Sequence, residues 1–180
     1  MKSLVLYSTN GQETALLELA QHSYPGVDDL YCVMRKRMIF NKSGRSYVQL
    51  DKSRAAWPLY FLHDIMPQVE AAEHVFVVNS SLRTPMTEML EYLTTASENL
   101  DFFSVKGRSE KATIEGGTIS VPDWEACAIS SDLLAHPEFR TFMRNLGPDL
   151  DEGGKHYAER YFFEHFRKSF AFAISGEKSA

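Results

Sequence analysis

The sequence predicts an α/β fold, a doubly wound parallel sheet with helices on both faces. Two short apolar segments, residues 3–7 (SLVLY) and 74–78 (HVFVV), have the pattern of strands that are buried on both sides. A polar loop and then a segment with helical spacing of apolar residues follow each of them. Alternation of buried strands with helices is typical of parallel sheets. The 180 residues are long enough for one substantial core, so we expect a single domain over residues 1–180.

The first unit is a strand, a loop and a helix. After the loop, apolar residues recur at helical spacing from Thr14 to His22, and Pro25-Gly26 ends the helix. A second strand is expected at 30–34. The stretch 35–50 then carries Lys42-Ser43-Gly44-Arg45 between two apolar segments, which predicts an inserted β-ribbon. This stretch is strongly basic, and it is either a docking surface for an anionic partner or a pair of solvated strand faces.

The second unit begins with a helical pattern over 53–73, interrupted by Pro58 and Pro67. Because proline is poorly tolerated inside a helix, each of the two is expected to start a helical segment or to mark a kink. The strand 74–78 follows. Beyond its loop, Thr84 is expected to cap a helix with Pro85 at its first position.

The last third of the chain is expected to be mainly helical. Residues 100–105 predict a further strand, and 113–121 predict two short β segments around Gly116-Gly117. Asp123 is expected to cap the first of several helices over 123–174, and the long final one begins near residue 155. That helix has aromatic residues on more than one face, which indicates burial on two sides. Either a second chain, as a homodimer, or an internal contact supplies the second side.

Charge and composition limit the classes of function. The formal net charge of −5 offers no general attraction to a long anionic polymer, and no segment approaches the length of a spanning helix. We therefore expect a small-molecule substrate or a protein partner, with neither nucleic acid nor membrane. Cys32 and Cys127 lie far apart in apolar surroundings, which favours buried thiols and a cytoplasmic location.

The loop after the first strand is the leading candidate for a binding site. Small polar residues in a loop before a helix suit a phosphate, because amide N–H groups and the helix N-terminus favour anions. The loop contains these residues, in order: Ser8, Thr9, Asn10, Gly11 and Gln12. The alternative is a tight turn in which a hydroxyl or amide caps the helix.

Two segments resemble a known family. The opening MKSLVLYSTNGQET resembles flavodoxin-like proteins, and VEAAEHVFVVNSSLRTPMTEMLEYL, residues 69–93, resembles FMN-dependent NAD(P)H reductases. The resemblance covers about residues 1–105. It implies a flavodoxin-like fold, FMN as cofactor, NAD(P)H as co-substrate and a small acceptor such as a quinone.

The resemblance also implies roles for individual residues. Residues 8–12 are expected to hold the FMN phosphate. Arg83 is expected to stabilise the reduced flavin. The ring system is expected to lie along four residues: Asn79, Ser80, Ser81 and Leu82.

Other types of site find no motif. The histidines lack the i, i+4 spacing of a helical zinc site, neither cysteine has a CxxC partner, and GxSxG, GxxxxGK and GxGxxG are absent. No metal site is therefore predicted. Two alternatives to the oxidoreductase stay open: a flavodoxin-like protein that has lost flavin and binds a protein partner, and a nucleotide site like that of phosphoribosyltransferases, which residues 75–90 resemble.

Overall fold

Nine strands and six helices make up the regular structure of the described residues. The computed structural model describes residues 2–9, 13–34, 46–49, 57–69, 73–114, 116–147 and 149–176, with backbone alone for 46–49 and 66–68. The strands are β1 (Lys2–Tyr7), β2 (Asp29–Met34), β3 (Ser46–Gln49), β4 (His74–Asn79), β5 (Phe102–Ser104), β6 (Gly107–Lys111), β7 (Thr118–Pro122), β8 (Ala126–Ser130) and β9 (Phe172–Ile174). The helices are α1 (Glu13–Ala20), α2 (Pro58–Val69), α3 (Met86–Ala96), α4 (Ser131–Ala135), α5 (Pro137–Arg144) and α6 (Glu152–Phe166).

Seven of these strands form one sheet in the order β3-β2-β1-β4-β8-β5-β9. β1 pairs in parallel with β2 on one side and with β4 on the other. β8 runs antiparallel to both of its neighbours, and β5 pairs in parallel with β9. The sheet is therefore largely parallel, and a single reversed strand interrupts it among the described residues.

Both faces of the sheet are covered, which confirms the predicted doubly wound α/β class. Successive side chains of a strand point to opposite faces. Leu4 and Leu6 of β1 accordingly pack with residues of α1 and α3, whereas Val5 and Tyr7 pack with residues of α2, α5 and α6. The apolar runs read from the sequence are continuous because both sides of each strand meet helices.

A β-ribbon was predicted at residues 35–50, but the antiparallel ribbon of the structure is formed by β6 and β7. Residues 46–49 join the main sheet as an edge strand parallel to β2, whereas an arm of a hairpin pairs antiparallel. The remainder of the predicted ribbon, 35–45 and 50, lies outside the described residues, as do the basic residues of 35–54. An antiparallel ribbon does form between β6 and β7, close to the two β segments predicted around Gly116-Gly117.

The C-terminal region, 123–174, is less helical than predicted. Residues 126–130 form β8, which is buried over its whole length, and residues 172–174 form β9 after α6 ends at Phe166. A short apolar run is compatible with a buried strand and with a buried helix. Residues 126–130 form a strand because they pair with the distant strands β4 and β5. Asp123 caps no helix, because its carboxylate accepts the N–H of Glu125, 3.0 Å away, in a local turn.

Two smaller predictions about helix ends differ as well. Pro58 does begin α2, as expected for its fixed φ. Pro85, however, stands one residue before α3 and Thr84 does not cap that helix. The helix is instead held by its buried apolar stripe, formed by Met86, Met89, Leu90 and Leu93.

The aromatic residues of α6 find their second side within the chain. Phe162, Phe163 and Phe166 are each no more than 2% exposed and belong to one core cluster. The ring of Phe102 in β5 lies 5.6 Å from the ring of Phe162 in an edge-to-face arrangement. An internal contact therefore accounts for these rings, and the homodimer stays a prediction.

Candidate functional site

The polar ends of β1 and β4 lie side by side at one edge of the sheet. Tyr7 and Asn79, the last residues of the two strands, are partners in the parallel ladder. β2 and β3 are added on one side of β1, and β4 is added on its other side. The strand order therefore reverses between β1 and β4. Ligands of open α/β sheets bind outside the carboxyl ends of the strands at such a reversal of strand order. We call this place the β1/β4 edge.

The side chain of Asn79 ties the two strand ends together. Its Nδ2 donates to Oγ1 of Thr9 at 3.3 Å. Its Oδ1 accepts from the backbone N–H of Ser81 at 3.1 Å and from the Ser81 hydroxyl at 2.9 Å. Asn79 therefore fixes the loop after β1 relative to the turn after β4.

The structure brings together most of the residues that the sequence singled out. Ser8, Asn79 and Ser80 are buried at the edge, and Thr9 and Ser81 are exposed. The N–H of Ser80 donates to the carbonyl of Tyr7, so that amide belongs to the sheet. The next two residues, Leu82 and Arg83, follow in the same turn, half-buried and exposed respectively. Asn10, Gly11 and Gln12 lie outside the described residues.

Sequence reasoning missed a third group at this edge, because residues 123–125 were assigned to a helix. β8 runs against β4, so the residues before β8 lie beside the end of β4. The carbonyl of Glu125 accepts the N–H of Asn79 at 2.8 Å. The Glu125 carboxylate pairs with the ammonium of Lys106 at 2.5 Å. An acidic pair at Asp123 and Glu125, directly after the β-like Val121-Pro122, is the signal that was available.

Charges of both signs meet at the edge. Hydrogen bonding to Glu125 raises the pKa of Lys106, whereas the positive charge of Arg83 acts in the opposite direction. Lys106 is paired with the carboxylate of Glu125, and the charges of Asp123 and Arg83 also act on it. The edge therefore offers two cations to an anionic group of a ligand, while its four formal charges cancel.

Buried polar groups beneath the edge are structural. The hydroxyl of Tyr7 donates to the carbonyl of Trp124, and the Cys127 thiol donates to the Ser104 hydroxyl at 3.5 Å. Burial raises the pKa of Cys127 to about 12. A thiol in this state is not a nucleophile near neutral pH, because the thiolate is the reactive form.

A second cluster links the β6–β7 ribbon to α6. Ligand atoms of Glu110, His156 and Glu159 lie within 4.8 Å of one another, a spacing compatible with a metal ion. Arg108 pairs with both carboxylates, and Arg160 pairs with Glu110 at 3.1 Å. Because the arginines already neutralise the carboxylates, the cluster is an ion-pair network that holds the ribbon to the helix.

An apolar groove of 760 Å³ runs between α5 and α6. Three stacked rings form part of it, with the Phe142 and Tyr161 centroids 5.7 Å apart and those of Tyr161 and His165 5.2 Å apart. Its ion pair, Glu138 with His165, is 67% and 40% exposed and therefore contributes little. The groove lacks the convergent charges of the β1/β4 edge.

Three solved structures place the fold. The chain is similar to 4-diphosphocytidyl-2C-methyl-D-erythritol synthase from Anaerococcus prevotii, with a TM-score of 0.55 and 11% identity over 97% of this chain and 86% of that one. It is similar to 2-C-methyl-D-erythritol 4-phosphate cytidylyltransferase from Thermus thermophilus, with a TM-score of 0.52 and 12% identity over 97% and 88%. A CMP:2-keto-3-deoxy-manno-octonic acid synthetase complexed with CTP gives a TM-score of 0.55 and 7% identity over 96% and 88%.

The chain has the fold of these three structures. At identities this low the likeness concerns the fold alone. Neither a protein-family model nor a curated protein sequence matches the chain. Within the part of the chain that the structure describes, no helix is both long and apolar enough to cross a bilayer.

The assignment to flavodoxin-like FMN reductases is therefore wrong. Flavodoxin-like sheets have the order 2-1-3-4-5, whereas here the order begins β3-β2-β1-β4 and contains the reversed strand β8. The predictions of FMN, of NAD(P)H as co-substrate and of a quinone acceptor fall with that assignment. The same finding contradicts the two alternatives, the flavodoxin-like interaction module and the phosphoribosyltransferase-like site. The flavodoxin-like fold and the fold observed here share a buried strand followed by a small-residue loop. This shared pattern caused the wrong assignment.

Proposed function

We propose that this protein binds a nucleoside triphosphate at the β1/β4 edge and transfers its nucleotidyl group to a small acceptor. The observation that carries the proposal is the position of Thr9, Asn79 and Ser81, joined by hydrogen bonds where the strand order reverses. The fold shared with cytidylyltransferases makes CTP the first nucleotide to test.

The residues at the edge suit a triphosphate. The Ser8 hydroxyl offers a donor to phosphate oxygens, and the Ser81 hydroxyl would do so by exchanging its bond to Asn79 Oδ1. The cations Lys106 and Arg83 offer charge that is stabilising as pyrophosphate departs. In the reaction, an oxygen of the acceptor forms a bond to the α-phosphorus while the bond from that phosphorus to the pyrophosphate oxygen breaks.

The donor set also fits a divalent cation. Mg²⁺ prefers one or two carboxylates together with phosphate oxygens; Asp123 would supply one beside the end of β4, whereas the carboxylate of Glu125 is already paired with Lys106. When bound, the ion would neutralise charge on the phosphates. The role of the protein's own residues is to orient the nucleotide, through Asn79 and its hydrogen-bond partners Thr9 and Ser81.

Calorimetry with CTP, UTP, ATP and GTP in the presence of Mg²⁺ tests binding, and release of pyrophosphate with CTP tests turnover. Asn79→Ala removes bonds to Thr9 and Ser81, each worth about 0.5–1.5 kcal/mol. We expect it to weaken nucleotide binding by about tenfold or more. Asn145→Ala, an equal truncation at an exposed residue after α5, is the matched control. Absence of binding for all four nucleotides, or equal affinity of the Asn79 variant and the wild type, contradicts the proposal.

A small molecule is the partner that this proposal requires. The possible homodimer and the cytoplasmic location stay predictions.

A further inference from the structure

Trp124 has a backbone conformation that its side chain does not favour. Its φ of 62° is in the left-handed region, which it shares with only one other non-glycine residue among those described, Asn99. A bulky residue there is strained, and such strain persists only where the surroundings hold it. The Trp124 ring is 3% exposed and packs edge-to-face on Phe102, with centroids 5.7 Å apart.

Glu159 of α6 supplies a specific anchor for this ring. Its Oε1 accepts the indole N–H of Trp124 at 3.1 Å and the indole N–H of Trp57 at 2.7 Å. Its Oε2 accepts from the guanidinium of Arg108. Glu159 is 5% exposed, so this carboxylate is a buried charge whose partners are one cation and both tryptophans of the chain.

Of these two tryptophans, Trp124 is the one whose neighbouring groups are hydrogen-bonded to residues of the β1/β4 edge. The carbonyl of Trp124 accepts the hydroxyl of Tyr7, the ladder partner of Asn79. The next residue, Glu125, accepts the N–H of Asn79 and pairs with Lys106. Trp57, by contrast, directly precedes α2. A shift of Trp124 therefore displaces groups at the edge, whereas the bond from Trp57 serves the core.

We propose that Trp124, anchored by Glu159, is a positioning residue for the β1/β4 edge, because it holds the turn 123–125 in place. The inference rests on the proposed function for its consequence in nucleotide binding. The positioning itself is a property of the chain, and it is measurable without any nucleotide.

The two tryptophans provide a matched pair of variants. Trp124→Phe and Trp57→Phe each remove one indole N–H from the same oxygen of Glu159 and shorten one buried aromatic side chain. We expect similar losses of stability in both. We expect amide exchange at Asn79 to become about tenfold faster in the Trp124 variant and to stay unchanged in the Trp57 variant. Equal exchange at Asn79 in the two variants overturns the inference.

Nucleotide binding gives the second readout. We expect Trp124→Phe to raise the Kd for CTP about fivefold or more, and Trp57→Phe to leave it unchanged. The Trp57 variant retains Trp124 as its single tryptophan, and the tryptophan emission of this variant should respond to CTP, whereas that of the Trp124 variant should not. A wild-type protein that binds no nucleotide contradicts the proposed function, and the exchange comparison then still decides the positioning role. A wild type that binds CTP while the two variants bind alike overturns the inference alone.

Discussion

The fully buried carboxylate of Glu164 provides a sharp test of how the β6–β7 ribbon is held. Glu164 is 0% exposed. Its Oε1 accepts the backbone N–H of Thr113 at 2.9 Å and that of Ile114 at 3.1 Å, and its Oε2 lies 3.1 Å from the same Thr113 nitrogen. The side chain therefore serves two amides that follow β6.

Removal of this carboxylate should cost more than an ordinary surface change. Hydrogen bonds to a charged group contribute about 1.5–3 kcal/mol each, and a buried amide left without a partner costs about 1–3 kcal/mol. Ile114 is 48% exposed, so water replaces its lost partner, and the penalty falls mainly on Thr113. The variant no longer has to desolvate a carboxylate on folding, and this offsets part of the loss. We expect Glu164→Ala to lower the free energy of unfolding by about 2–4 kcal/mol, or Tm by about 10 °C.

Urea unfolding followed by tryptophan fluorescence measures this change, and native-state hydrogen exchange at Thr113 locates it. Glu164→Gln keeps one acceptor oxygen and should lose about half as much stability. Glu91→Ala, at an exposed position in α3, should change it by less than about 0.5 kcal/mol. The reasoning is refuted if Glu164→Ala unfolds like Glu91→Ala, or if exchange at Thr113 is unaltered.

Three further outcomes are expected. Phe162→Ala should lower the free energy of unfolding by about 3–5 kcal/mol in the same urea assay, because it leaves a cavity among packed rings. Burial opposes ionisation of Glu110, but hydrogen bonds from Arg108 and Arg160 outweigh it and lower its pKa. Its stabilising contribution is thus present above its ordinary pKa of 4.5 and is lost on acidification through the lowered value, so the stability of Glu110→Gln should approach that of the wild type there. Cys127, buried with its pKa raised to about 12, should react with a thiol reagent at pH 8 only after unfolding; rapid labelling of the folded protein would contradict this.

Local patterns predicted the elements around the candidate site well. The strands at 3–7 and 74–78 are β1 and β4, each within one residue at either end. Parallel strands end at the same edge of a sheet, so the loops that follow these two strands meet, and Thr9 and Asn79 are hydrogen-bonded there. The strand order did not follow, because a buried strand with a small-residue loop is common to more than one α/β fold.

The third side of the site was missed for a physical reason. Residues 126–129 are apolar and are followed by the small Ser130, and the segment shows neither helical nor alternating periodicity. Their pairing with residues about fifty positions earlier, in β4, made them a strand and carried Asp123 and Glu125 to the edge. No window of local sequence contains that information.

The sequence by itself determined the α/β class, the buried strands β1 and β4 and the polar residues at their ends, because burial on two faces and loop chemistry leave local signatures. Only the tertiary structure decided the strand order, the reversal of β8 and the alignment of Trp124 with Glu159. These depend on contacts between residues far apart in the chain, and their free energy is gained only when the whole sheet and α6 are packed together.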